Sequence, residues 1–170
     1  MNFHYIEIGS TVNGDGIRTV LWVSGCNHRC KGCQNPETWD ENSGIPFTDE
    51  YKYKLFASVY DEFVSGITLS GGDPLYPNNR KDVFSLIREF KHHFPNKTVW
   101  LYTGYEWEDI LNMEDFPFND VDIVVCGKFD IDKKDPNYHW AGSTNQRVIN
   151  VPLYMAGYPR LIVDRFTKVN

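Results

Sequence analysis

Four strand-like segments of this chain each run into glycine, with helix-like segments between them. The first, Ile17-Arg18-Thr19-Val20-Leu21-Trp22-Val23-Ser24-Gly25, is β-branched and aromatic and reads as a buried strand. Residues 67–70 stop at Gly71-Gly72-Asp73-Pro74, residues 98–103 at Gly104 and residues 121–126 at Gly127. Thr48 followed by Asp49 and Glu50 marks a helix start. Tyr51, Leu55, Val59 and Phe63 then recur four apart, predicting an amphipathic helix over 49–64. Val83, Leu86, Ile87 and Phe90 predict a second over 80–93, and a short helix is expected around 106–112. Further strands are expected at 147–151 and 161–163. This alternation favours an α/β domain with a mainly parallel sheet. Ligands in such folds bind at the C-terminal ends of the strands, so loops distant in sequence should meet at one site.

A complete eight-unit (β/α) barrel takes about 250 residues. The 170 residues here leave room for a partial one and read as a single domain over 1–170. Lysine and arginine number 17 against 23 acidic residues, a formal charge of −6. Nucleic-acid binders usually carry a basic face, so no nucleic-acid partner is expected. No apolar run approaches the ~20 residues of a membrane span, and no membrane association is expected. The start, Met1-Asn2-Phe3-His4-Tyr5-Ile6-Glu7, shows no basic patch followed by an apolar run. No signal peptide is expected, and the predicted setting is a reducing cytoplasm.

In that setting clustered cysteines point to metal binding or catalysis. Three of the four cysteines fall within Cys26-Asn27-His28-Arg29-Cys30-Lys31-Gly32-Cys33, directly after the first strand. Polar neighbours argue against a shared apolar layer. Cys126 lies in the strand-like run Val121-Asp122-Ile123-Val124-Val125-Cys126 and reads as a small buried hydrophobe. Structural zinc wants four ligands, commonly in two separated pairs. A fourth would have to be Cys126 or His28, and His28 sits inside the loop with little freedom to turn inward. An iron–sulfur cluster suits three thiolates better and leaves one iron open to a further ligand. His28, Arg29 and Lys31 place positive charge where thiolates must form.

Cys-x3-Cys-x2-Cys after one strand and Gly-Gly-Asp after the next resemble the radical S-adenosylmethionine (radical SAM) superfamily. The resemblance narrows with Asn13-Gly14-Asp15-Gly16-Ile17-Arg18-Thr19, Gly32-Cys33-Gln34-Asn35-Pro36-Glu37-Thr38-Trp39, Ser70-Gly71-Gly72-Asp73-Pro74-Leu75, Trp100-Leu101-Tyr102-Thr103-Gly104-Tyr105, Gly127-Lys128-Phe129 and Gly142-Ser143-Thr144-Asn145-Gln146-Arg147. In that order, over about residues 1–150, these segments are similar to the activating proteins of anaerobic ribonucleoside-triphosphate reductase. The resemblance implies a partial (β/α) barrel of the radical SAM type. It implies a [4Fe-4S] cluster on Cys26, Cys30 and Cys33, with S-adenosylmethionine (SAM) on the open iron. Gly71 and Gly72 would let backbone approach the methionine part of SAM, and Asp73 would either accept from its ammonium or cap the turn. Gly32, Cys33 and Gln34 would offer backbone contacts to the adenine end. Reductive cleavage of SAM would give a 5′-deoxyadenosyl radical that takes hydrogen from a glycine of the reductase, with no side-chain acid or base. A reduced flavodoxin is the implied electron donor.

Two positions depart from the family pattern: Asp15 stands where proline is usual, and Cys126 where aspartate is usual. Residues 151–170 extend beyond the resemblance, with Arg160, Arg165 and Lys168 on either a solvated final strand or a docking edge. The competing readings are an activase for another glycyl-radical enzyme, a radical SAM enzyme acting on a free small molecule, and a zinc-binding interaction module.

Overall fold

Alternation along the strands sets the layers. The computed structural model describes residues 1–158. In β2 (Ile17–Val23), Leu21 and Val23 are fully buried, as are Ile67 and Leu69 of β4 (Val64–Gly71), Val99 and Leu101 of β5 (Thr98–Tyr102), and Val124 and Cys126 of β6 (Ile123–Cys126). They form one core with Leu55 of α1 (Asp49–Ala57), Ile87 and Phe90 of α2 (Arg80–His93), and Trp107 and Ile110 of α3 (Trp107–Leu111). The helices thus cover one face of the sheet. Burying such side chains contributes roughly 1.5–3 kcal/mol each. The residues between them in sequence form the second face, where Trp100, Val125 and Val148 pack with Tyr102 and Trp140.

Together with β1 (Asn2–Ser10), β3 (Ile45–Pro46) and β7 (Arg147–Asn150), these strands form a seven-stranded sheet ordered β3-β1-β2-β4-β5-β6-β7 among the described residues. The four inner strands run parallel, joined by helical crossovers. The outer pairings are antiparallel, so the expectation of a mainly parallel sheet holds for the centre alone. The connection from β1 to β2 is too short for the crossover that a parallel pair requires. β1 was not anticipated. Its Phe3, Tyr5, Ile6 and Ile8 are strand formers, but register shifts between Phe3 and Tyr5 and between Ile8 and Ser10 erase a clean alternation.

α2 occupies the span its periodicity predicts. α1 stops at Ala57, short of the predicted 64. The Ser58 hydroxyl donates to the Leu55 carbonyl at 2.7 Å, and the Asp61 carboxylate accepts from the Phe63 N–H at 2.9 Å, forming a turn. Val59 still enters the core while Phe63 is 72% exposed, so the four-residue spacing outlasts the helix. The strand expected at 147–151 ends at Asn150. Its side chain accepts from Leu153 N–H and caps α4 (Val151–Met155), which has proline in its first turn. The core reaches past residue 150, through buried Val151 and through Tyr154, packed edge-on to Trp107 at 5.0 Å. The strand expected at 161–163, and Arg160, Arg165 and Lys168, lie outside the described residues.

Arg18 is fully buried on the second face. Its Nε donates to Thr68 Oγ1 at 2.7 Å, and Nη1 donates to Asp15 O at 3.1 Å and Thr98 Oγ1 at 2.9 Å. Nη2 donates to Ile67 O at 2.5 Å and Thr98 O at 3.0 Å. These five bonds match the five N–H donors of a guanidinium and join β2, β4 and β5. The group also lies over the Trp100 ring, 5.4 Å from its centroid. Among the described residues no helix is long and apolar enough to cross a membrane.

Candidate functional site

The inner strands are in register at their C-terminal ends, with Val23 opposite Gly71, Leu69 opposite Leu101 and Tyr102 opposite Val125. The loops that follow them enclose a cavity of about 190 Å³. Cys26, Cys30 and Cys33 line it from the loop after β2, Gly71 from the end of β4, and Gly72 and Asp73 from the turn that follows. Thr103 and Gly104 close it after β5, Gly127 and Phe129 after β6. The convergence expected from the strand pattern is present.

Backbone contacts hold the cysteine loop against its neighbours. Gly25 N–H donates to Thr38 O at 2.8 Å and Cys26 N–H to Trp39 O at 3.1 Å. The turn after β4 docks onto the same strand end, with Gly72 N–H on Val23 O and Asp73 N–H on Gly25 O, each at 2.8 Å. A Cβ on Gly72 would lie 2.5 Å from Gly25 O and 2.8 Å from Thr38 O, so this approach requires glycine. The space is filled by the chain's own backbone.

Asp73 is fully buried and caps its turn: Oδ1 accepts from Leu75 N–H at 2.8 Å. The same oxygen accepts from the Thr103 hydroxyl at 2.8 Å, while Oδ2 accepts from Gly104 N–H at 2.9 Å and from His28 Nε2 at 2.8 Å. His28 therefore does turn inward, against expectation. It is a partner of Asp73, at 9% side-chain exposure, and not part of a solvated loop.

The three loop cysteines are free and half-buried. Burial pushes the Cys26 thiol up to about 11, opposed by the backbone N–H groups of His28 and Arg29. Burial also raises Cys30, opposed by the backbone at Phe129 and by the nearby charge of Lys128. At Cys26 and Cys30 the protonated thiol is therefore favoured until metal binding displaces the proton. Among the described residues no three histidine, cysteine or carboxylate side chains gather closely enough to hold a single metal ion. The three cysteines line one cavity, and thiolates are the usual ligands of a polynuclear iron–sulfur centre. Two residues that line this cavity, Tyr102 and Trp39, carry a buried hydroxyl and indole N–H that have no hydrogen-bond partner among the described residues. Buried donors without partners cost about 1–3 kcal/mol each, which a bound ligand with acceptors would recover.

Gln34 also lines the cavity. Gly32 is not among its lining residues. It is exposed, with φ of 73° and a would-be Cβ 2.9 Å from Ile131. Cys126 is fully buried in the core, with its thiol pushed up to about 12 by burial. Sequence reasoning missed the link between His28 and Asp73 and the unpartnered donors of Trp39 and Tyr102. It also missed Gln146, whose Oε1 accepts from Gly142 N–H at 2.8 Å while Nε2 donates to Gly127 O at 2.9 Å. All but His28 stand in the ordered segments quoted above, where their identity was visible but their partners were not.

The family model described as "4Fe-4S single cluster domain" matches residues 12–149. A curated protein of Enterobacteria phage T4, named anaerobic ribonucleoside-triphosphate reductase-activating protein, is 42% identical over 149 residues, covering 87% of this chain and 93% of its own. The chain belongs to this activating-protein family. Family members of the same name from Salmonella typhi and Escherichia coli strain K12 are 42% and 40% identical over 150 residues, each covering 87% of this chain and 97% of its own. The matched span of the 4Fe-4S domain contains all three loop cysteines and every cavity-lining segment of this activating-protein family member.

Proposed function

We propose that this chain is a radical SAM activase that generates a glycyl radical on anaerobic ribonucleoside-triphosphate reductase. The observation that supports the reading is the meeting at one cavity of three free thiols, a Gly-Gly-Asp turn and two residues whose buried donors have no partner among the described residues. Cys26, Cys30 and Cys33 would hold a [4Fe-4S] cluster with one iron left open. A reduced cluster held there would supply the electron for reductive cleavage of SAM to methionine, and the 5′-deoxyadenosyl group would then take hydrogen from the reductase glycine.

The chain's own residues bind, orient and shield. The turn at Gly71 and Gly72 receives the methionine end, and the backbone at Cys33 and Gln34 receives the adenine end. The Tyr102 hydroxyl and Trp39 N–H donate to acceptors of the nucleoside. In this reading the sheet is a partial (β/α) barrel of the radical SAM type, whose loop end admits a segment of the folded reductase. A reduced flavodoxin in the cytoplasm is the electron donor in this reading.

The reconstituted, anaerobically reduced protein is expected to convert SAM to methionine and 5′-deoxyadenosine in equal amounts. Tyr102→Phe and Trp39→Phe should each weaken SAM binding about fivefold, the net worth of one hydrogen bond, with iron content unchanged. Isothermal titration with SAM measures this. Unchanged affinity in both variants would remove the two donors from the binding site.

A further inference from the structure

The carboxylate of Asp73 has no room for a further partner. Each carboxylate oxygen offers about two acceptor positions. Oδ1 is filled by Leu75 N–H and the Thr103 hydroxyl, Oδ2 by Gly104 N–H and His28 Nε2, all within 2.9 Å. The surroundings are shaped for the imidazole. Its ring meets Tyr105 edge-on at 4.9 Å, and a Cβ on Gly104 would lie 2.5 Å from it. His28 stands between Cys26 and Cys30, so this bond ties the cysteine loop to the turn after β4 and the loop after β5.

We propose that His28 is a positioning residue: through Asp73 it sets the spacing between the cluster-bearing loop and the turn that receives the methionine end of SAM. Asp73 acts as the shared anchor of three loops and does not bind the SAM ammonium. A hydrogen bond to an ionised acceptor is short and strong, which suits it to hold loops that share no regular secondary structure. The inference rests on the SAM reading proposed above.

The test compares His28→Gln, which keeps an N–H donor of similar reach, with His28→Phe, which keeps the ring packing and loses the donor. Each is reconstituted anaerobically, its iron is counted, and SAM is titrated against the electron paramagnetic resonance spectrum of the reduced cluster. With iron retained, His28→Phe should require about tenfold more SAM for half the spectral change, and His28→Gln should stay near wild type. Wild-type affinity in His28→Phe, or equal losses in both variants, overturns the proposal. A wild-type spectrum that SAM leaves unchanged refutes the SAM reading itself, before any variant is compared.

Discussion

Cys26→Ala, Cys30→Ala and Cys33→Ala should each abolish SAM cleavage and lose the cluster absorption, whereas Cys126→Ala should keep both. All three loop thiols line one cavity, and in the proposed reading each removal takes away a cluster ligand. The loss should exceed the about 10–100-fold that removing an outer-shell partner costs a metal site. Cys126 sits in the core with Leu101 and Val124 and is not among the residues that line the cavity. Cys126→Ala should cost stability instead, by about 1 kcal/mol for the lost packing. Iron analysis and 5′-deoxyadenosine quantitation of the four variants decide the matter. Iron loss in Cys126→Ala, or a full cluster in any loop variant, would contradict the assignment.

Arg18→Met should be the most damaging single change outside the cavity, at about 3–5 kcal/mol, or on the order of 10 °C in Tm. The side chain, on β2, lies at 0% exposure and spends all five donors on acceptors from β4, β5 and the loop before β2. Burial pulls its pKa down to about 10, which leaves it charged at neutral pH. Removing it strips partners from buried carbonyls and hydroxyls and opens space beneath Trp100. Arg18→Lys keeps the charge but has three donors on a flexible stem, so it should recover part of the loss, leaving about 2 kcal/mol. Denaturant melts of the three proteins give the values. A loss below about 0.5 kcal/mol in Arg18→Met, the range of ordinary surface changes, would show that the bond network is not structural.

Which features were legible in the sequence depended on whether the signal was local. α2 follows from Val83, Leu86, Ile87 and Phe90 because one apolar stripe both forms the helix and buries it. The inner strands were legible from β-branched runs ended by glycine, and their parallel order brings the four loops to one end. α1 ran short because a turn at Asp61 overrides a spacing that continues to Phe63. β1 escaped because its pairing is irregular. At the site, the cysteines and the Gly-Gly-Asp turn were visible as residue types at fixed spacing. The inward turn of His28 was not, since it depends on a carboxylate 45 positions away and on the missing Cβ of Gly104. The role of Arg18 was hidden for the same reason: its acceptors lie 50 and 80 positions along the chain.

The central claim is that this cavity delivers a radical to a glycine of the reductase. The direct measurement mixes the reduced, cluster-loaded protein with SAM and the reductase under anaerobic conditions and records the electron paramagnetic resonance spectrum. A doublet from a glycyl radical, absent when SAM is omitted or when Cys30→Ala replaces the wild type, is the predicted result. SAM cleavage without that doublet would contradict the account and point to a free small molecule as the hydrogen donor.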